Sequence, residues 1–253
     1  MVTKDHQKPL PASSETLDNR RPDKIRAARN GCFALLLMVL AGCDPPYLSE
    51  TYATSTPKPK SFDTGELVRA PVGVFLPVVP GNLQGFGPTL SHALSGAMAE
   101  VNPPIREIAV DEVLNRLTDQ GLTAEYADLR AGFARNGVLD RHRLQRIGLS
   151  LGVHYMLLPG LAQFDEEILD KYEAVGIKLL RNRVTTLRIW LQLWDTQSGH
   201  IVWEASGEVT AATVFLSPKQ TIAFEQVAKR LSVSMIQDEL LGSRTETQVM
   251  QDH

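Results

Sequence analysis

Leu187-Arg-Ile-Trp-Leu-Gln-Leu-Trp-Asp-Thr-Gln-Ser-Gly-His-Ile-Val-Trp203 is the stretch on which the fold turns. Leu187, Ile189, Leu191 and Leu193 alternate with Arg188, Trp190, Gln192 and Trp194. That period of two is what a strand with one buried face requires. Asp195-Thr-Gln-Ser-Gly199 reads as a turn, with Gly199 supplying the positive φ. Ile201, Trp203, Ala205, Gly207 and Val209 then alternate back along a partner strand. The stretch predicts an antiparallel hairpin.

Upstream, strands and helices take turns. Residues 72–79 are short, apolar and β-branched, as in a buried strand. A glycine-bearing loop follows (Gly81, Gly85, Gly87), and Pro88 suits the first turn of a helix. That helix shows Leu90, Leu94, Ala97, Met98 and Val101 at three-to-four spacing and stops before Pro103-Pro104. Residues 105–110 read as a second strand. Asp111 is the expected cap of a helix carrying Val113, Leu114 and Leu117, closed by Gly121.

Residues 123–133 and 141–151 are two further helical stretches separated by Gly137. Asp140 caps the second, whose inner face is Leu144, Ile147, Gly148 and Leu151. After Gly152, residues 153–164 form a third strand. Downstream of the hairpin, a helix over 218–240 faces Phe224, Val227, Ala228, Leu231 and Met235 inward. Helices between strands imply parallel pairs, and the hairpin adds antiparallel ones. The expected fold is α/β (α+β): a mixed sheet of about five strands covered by helices, one domain over residues 67–241, with a frayed tail at 242–253.

The first 66 residues have another character. An apolar run from Cys32 to Ala41 follows Arg26 and Arg29. It is too short for a bilayer, which needs ~20 residues, and fits the core of a signal peptide. It ends in Leu40-Ala41-Gly42-Cys43, which resembles the lipobox of bacterial lipoproteins. The resemblance implies removal of residues 1–42, a diacylglycerol on the Cys43 thiol and a palmitate-type acyl chain on the new amino terminus. Asp44 is, in enterobacterial lipoproteins, a residue associated with inner-membrane retention; the rule varies between lineages, so the choice of membrane stays open. Residues 43–66, with Pro45, Pro46, Pro57 and Pro59 among many Ser and Thr, read as a disordered tether.

Seven of the 26 basic and four of the 29 acidic residues precede Cys43, which leaves the mature chain with 19 and 25, a net charge of −6. That balance argues against nucleic acid as a partner. Cys32 leaves with the signal and Cys43 is consumed by lipid, so no disulfide holds the domain.

Ile147-Gly-Leu-Ser-Leu-Gly152 running into Val153-His-Tyr-Met-Leu-Leu-Pro-Gly160, together with Leu193-Trp-Asp-Thr-Gln-Ser-Gly-His-Ile-Val-Trp203, resembles a group of periplasmic lipoproteins. The group includes the penicillin-binding-protein activator LpoB, the curli-secretion lipoprotein CsgG and the amino-terminal domain of TolB. The resemblance spans roughly residues 70–241, and its motifs are structural. His154, in place of an acidic or small residue, and Pro159 within a strand depart from it. A pore-forming segment of the CsgG kind is not evident, although residues 165–183 form an insertion of similar placement.

Chemistry-bearing patterns are sparse. The glycines at 81, 85 and 87 lack the Lys-Ser/Thr ending of a phosphate loop. His92, His142, His154 and His200 are scattered without metal-ligand spacing, and Asp165, Glu166, Glu167 and Asp170 read as an acidic solvated loop. No catalytic residue, metal site, cofactor or small-molecule substrate is expected. Trp190 and Trp194, opposite the leucines, lie either beneath covering helices or in an exposed aromatic patch, and the helix-covered sheet favours the core. Exposed, they mark a contact for a partner protein, as does Tyr172 within residues 165–183. The expected function is a non-enzymatic accessory or activator of the bacterial cell envelope, lipid-anchored through Cys43, facing the periplasm and working by protein–protein contact. The alternative is an oligomeric subunit of a secretion or transport assembly. An envelope hydrolase is the third class.

Overall fold

The structure, a computed structural model, describes residues 47–60, 62–174, 177–215 and 223–242. Six strands form one sheet in the order β1-β6-β5-β4-β2-β3. They are β1 (Tyr47–Ser55), β2 (Val72–Val74), β3 (Glu107–Ile108), β4 (Tyr155–Ala174), β5 (Ile177–Asp195) and β6 (Ile201–Phe215). The helices are α1 (Thr64–Arg69), α2 (Gly87–Glu100), α3 (Val110–Asp119), α4 (Thr123–Asn136), α5 (Arg141–Leu151) and α6 (Phe224–Ser234), the last continued by a wide π turn (Met235–Leu240). None of the described helices is long and apolar enough to cross a membrane.

β2 pairs parallel with β3 and β4, the segments between them being helical, while β4, β5, β6 and β1 pair antiparallel. This is the mixed α/β sheet expected from the sequence, with one more strand. The leucine face of β5 (Leu187, Ile189, Leu191, Leu193) packs with Trp203, α2 and α6 into one core. On the opposite face Phe75, Met156, Leu158 and Trp194 meet α3, α4 and α5 in a second.

Local signals set the helix ends. Asp140 caps α5 by accepting from Arg143 N at 2.9 Å, and Gly152 closes it at φ 68°. Asp111 does not cap α3: Ala109 takes that place, and Asp111 sits in the first turn, where its charge still favours the helix dipole. Gly148 lets α5 press against the β5–β6 turn, since a Cβ there would run into Thr196.

Two expectations are corrected. Residues 47–55, read as tether, are β1, paired with β6 from Tyr47↔Thr213 to Ser55↔Ala205, and the compact unit begins at Pro45. The segment escapes an aliphatic-run criterion because it is an edge strand: its ladder holds it, and Ala53 packs against the core. Residues 165–183, read as an insertion that starts in an acidic solvated loop, continue the β4–β5 ladder from Asp165↔Thr186 to Ala174↔Ile177, Val175 and Gly176 lying outside the described residues. The tail 243–253 and the leader also lie outside them.

Pro159 sits well inside β4 because the neighbouring ladder breaks there. Phe75 N donates to Leu157 O and Val78 N to Pro159 O, both at 2.9 Å, and between these bonds the chain detours through Leu76 and Pro77. A residue without an N–H is tolerated at such a gap.

Glu107, on the edge strand β3, is half-buried and has one carboxylate oxygen with no partner. Burial pushes its carboxyl above the usual range, the Ser95 hydrogen bond opposing and Asp111 adding to the shift. A carboxyl raised in the fold is a source of instability that grows as pH rises from its unfolded value through its folded one. Glu107→Gln is therefore expected to raise the urea midpoint at pH 7, the advantage fading as pH falls toward 4, where the wild-type carboxyl is protonated in both states.

Candidate functional site

Among the described residues, two groups of polar or exposed side chains lie against the sheet, and each follows from how the sheet is covered. On β5, Trp194 and Trp190 share a face but not an environment. Phe133 of α4 stands edge-on to Trp194 at 6.5 Å and tilted against Trp190 at 6.2 Å. Trp194 is 3 % exposed and its Nε1 donates to Gln192 Oε1 at 3.3 Å. It belongs to the core, which corrects the partner-contact reading for that residue: α4 reaches over it. Trp190, half-buried, lies across Gly160 of β4 at the margin of the helix layer.

Beyond Trp190 no described helix covers this face. The rows there are Glu50–Thr210–Thr186, Tyr52–Glu208–Arg188 and Thr54–Ser206–Trp190. Tyr52 is 66 % exposed. Arg188 Nε donates to Glu208 Oε2 at 2.5 Å, and Gln192 Nε2 to Glu204 Oε2 at 2.8 Å. With Glu50, Glu204 and Glu208 against Arg188, the bare face is acidic, and the exposed ring of Tyr52 stands among its charges. Sequence reasoning missed Tyr52 because its strand was not recognised; Tyr47, Thr51, Tyr52 and Thr54, all strand formers, were the available signal.

The second place is the sheet end where β4 starts. His154 Nδ1 lies 2.6 Å from Glu66 Oε1, and its Nε2 lies 3.4 Å from Asp195 Oδ1. Tyr155 donates its hydroxyl to Glu66 Oε2 at 3.1 Å, and the two rings stack at 4.4 Å. Burial first, then the charges of Glu66, Asp195 and Asp63, drive the Tyr155 hydroxyl far above its usual range, so it serves as a donor and not as a phenolate. Asp195 also accepts from Gln197 N at 2.7 Å and Ser198 N at 3.1 Å, which shapes the turn. An imidazole between two carboxylates can relay a proton, but every contact here ties α1 to β4 and the hairpin turn. Glu66→Ala, which strands the Tyr155 hydroxyl and frees α1, is expected to cost about 1–3 kcal/mol in urea unfolding.

The remaining sequence candidates are placed as follows. Cys43 and Asp44 lie outside the described residues. Tyr172 is on β4 opposite Leu180, its side chain outside the described residues. The arginines of α5 are engaged: Arg146 with Glu125, Arg143 with Asp128 at 3.4 Å and Arg141 with Gln197 O at 3.5 Å. Among the described residues no group of three or more His, Cys, Asp or Glu side chains is arranged to hold a metal ion.

No protein-family model matches this chain, and no curated protein matches it. Solved structures do. PelC from Paraburkholderia phytofirmans, determined as a dodecamer, is 13 % identical with a TM-score of 0.42, over 74 % of this chain and 96 % of that one. Lipoprotein GNA1162 from Neisseria meningitidis is 17 % identical with a TM-score of 0.41, over 69 % and 99 %. The C-terminal domain of LpoB from Salmonella enterica is 17 % identical with a TM-score of 0.31, over 57 % and 90 %. These likenesses are remote, and none of them fixes a function.

Proposed function

We propose that this chain is a lipid-anchored accessory protein of the bacterial cell envelope that acts without catalysis, through protein–protein contact. The observation that carries the reading is the bare acidic face of β1, β6 and β5 with Tyr52 exposed on its edge strand. An exposed aromatic ring amid charges is the composition of a contact anchor, because aromatic residues are enriched in interface cores while lone carboxylates are solvated. The partner surface that fits is basic with an apolar recess. Cys43, four residues before β1, supplies the membrane attachment that the signal-like leader implies.

A photo-crosslinking residue at position 52, introduced in growing cells, tests this. A discrete adduct that disappears on Glu208→Lys, while a probe at Leu149 gives none, is the expected result. Equal adducts from both positions, or none from 52, would reject the face. The oligomeric alternative has its own support in β1, whose outer edge is unpaired among the described strands and can extend the sheet into a second copy. Sedimentation velocity separates the readings: a monomer for the accessory protein, a high-order species for the assembly subunit.

A further inference from the structure

We propose that the outer edge of β1 takes up an extended segment of the partner protein as a further strand, and that this segment carries Lys or Arg at alternate positions. This rests on the contact reading above and gives the partner its form at the acidic face.

The ladder itself shows which groups of β1 are free. Thr56 N donates to Glu204 O at 2.8 Å, one step past the pair Ser55↔Ala205. Antiparallel neighbours alternate between bonded and non-bonded pairs, so Thr54, Tyr52 and Glu50 turn their backbone N–H and C=O toward β6. Thr51 and Ala53 turn theirs outward, and among the described strands none meets them. Such a row of donors and acceptors is a template for another strand.

The two edges of the sheet differ. At β3 the edge is two residues long, too short to hold a neighbour. β1 is nine residues long, contains no Lys or Pro, and pairs with β6 without a bulge. Shortness, charge, proline and bulges are the devices that keep sheet edges from pairing, and of these β1 has only the carboxylate of Glu50. One carboxylate selects a neighbour and does not block it.

Charge names the occupant. Side chains alternate across a strand, so Glu50, Tyr52 and Thr54 stand on the bare face and Ala53 on the other, where it packs against the core. On the bare face the added strand meets exposed Glu50 and then the exposed ring of Tyr52, with Glu208 behind that ring. A Lys or Arg beside Glu50 makes an opposite-charge cross-strand pair, and an Arg beside Tyr52 lies over an aromatic face. A second copy of this chain would bring the same carboxylates to the join, where like charges are unfavourable.

The full lipidated chain in detergent micelles is titrated into a fluorescein-labelled peptide, Thr-Lys-Val-Arg-Val-Lys-Thr, and into a control of the same composition with its basic residues adjacent. Saturable anisotropy with the alternating peptide, and weaker binding of the control, is the expected result. Thr51→Pro removes an outward N–H and leaves the β6 ladder whole; it is expected to weaken the alternating peptide about ten-fold, while Thr51→Val leaves it unchanged. Hydrogen exchange at the Thr51 and Ala53 amides, slowed by the peptide in the unaltered chain, reads the same contact if the proline variant fails to fold. No binding, equal binding of the two peptides, a folded Thr51→Pro that binds as well, or unslowed exchange overturns strand addition while leaving the acidic face in place. Self-association that Thr51→Pro abolishes, with the peptide unbound, makes a second copy the occupant and overturns the basic segment. If a crosslinking probe at position 52 captures nothing in cells, the contact reading itself fails.

Discussion

Cys43→Ser is expected to move the protein from the membrane pellet to the soluble fraction or to leave it as an unprocessed precursor still carrying residues 1–42. The reason is chemical. Only a thiol forms the thioether to diacylglycerol, and in the resemblance to lipoproteins cleavage follows that step. Each buried methylene of an acyl chain contributes ~0.8 kcal/mol, and a single myristoyl chain binds only marginally, so stable anchoring takes a second chain or another signal. A hydroxyl supports neither acylation nor, in consequence, retention. Flotation of the variant in high salt, followed by mass determination of its amino terminus, reads both effects at once. Cleavage at the same bond with full flotation would show that the sulfur is not the anchor.

Which features the sequence disclosed depends on what each feature asks of neighbouring residues. The β5–β6 hairpin was legible because four leucine-type positions must meet α2 and α6, and such burial imposes its period on the chain. Asp140, Gly137 and Gly152 were legible because a helix end makes a local demand on a single residue. β1 was not, since an edge strand of Thr, Ser and Tyr is held by its backbone ladder and leaves no aliphatic signature. The extension of β4 and β5 past Asp165 was hidden for a related reason: its register gives the strand, but charges interrupt the apolar period.

Trp190 and Trp194 show a different limit. Alternation assigns both to one face, yet only the length and placement of α4 decide that Trp194 is sealed and Trp190 is at the margin. His154 shows a third. Its partner Glu66 is 88 positions away, and nothing near either residue announces the pair.

Gly160→Ala should have the largest effect on folding of any single methyl group added to the sheet. Judged by backbone alone the change ought to help, because glycine within a strand is entropically costly by roughly 0.5–1 kcal/mol. The packing says the opposite. Gly160 lies opposite Trp190 in the β4–β5 ladder, and a Cβ on it would overlap the five- and six-membered rings of the indole. Phe133, 6.2 Å away, stands in the way of the ring swinging aside. Overpacking of this kind costs about 1–3 kcal/mol, which exceeds the entropic gain. The expected net loss is about 1–2 kcal/mol, a fall in Tm of roughly 2–8 °C for a domain of this size. Trp190→Ala alone is expected to be destabilising as well, through the cavity it leaves under Phe133. In that background, however, Gly160→Ala meets open space and recovers its entropic advantage, becoming neutral or stabilising. The two changes should therefore couple by about 1–3 kcal/mol in urea unfolding. Strict additivity would mean that the close approach of indole and backbone is not what glycine serves at this position.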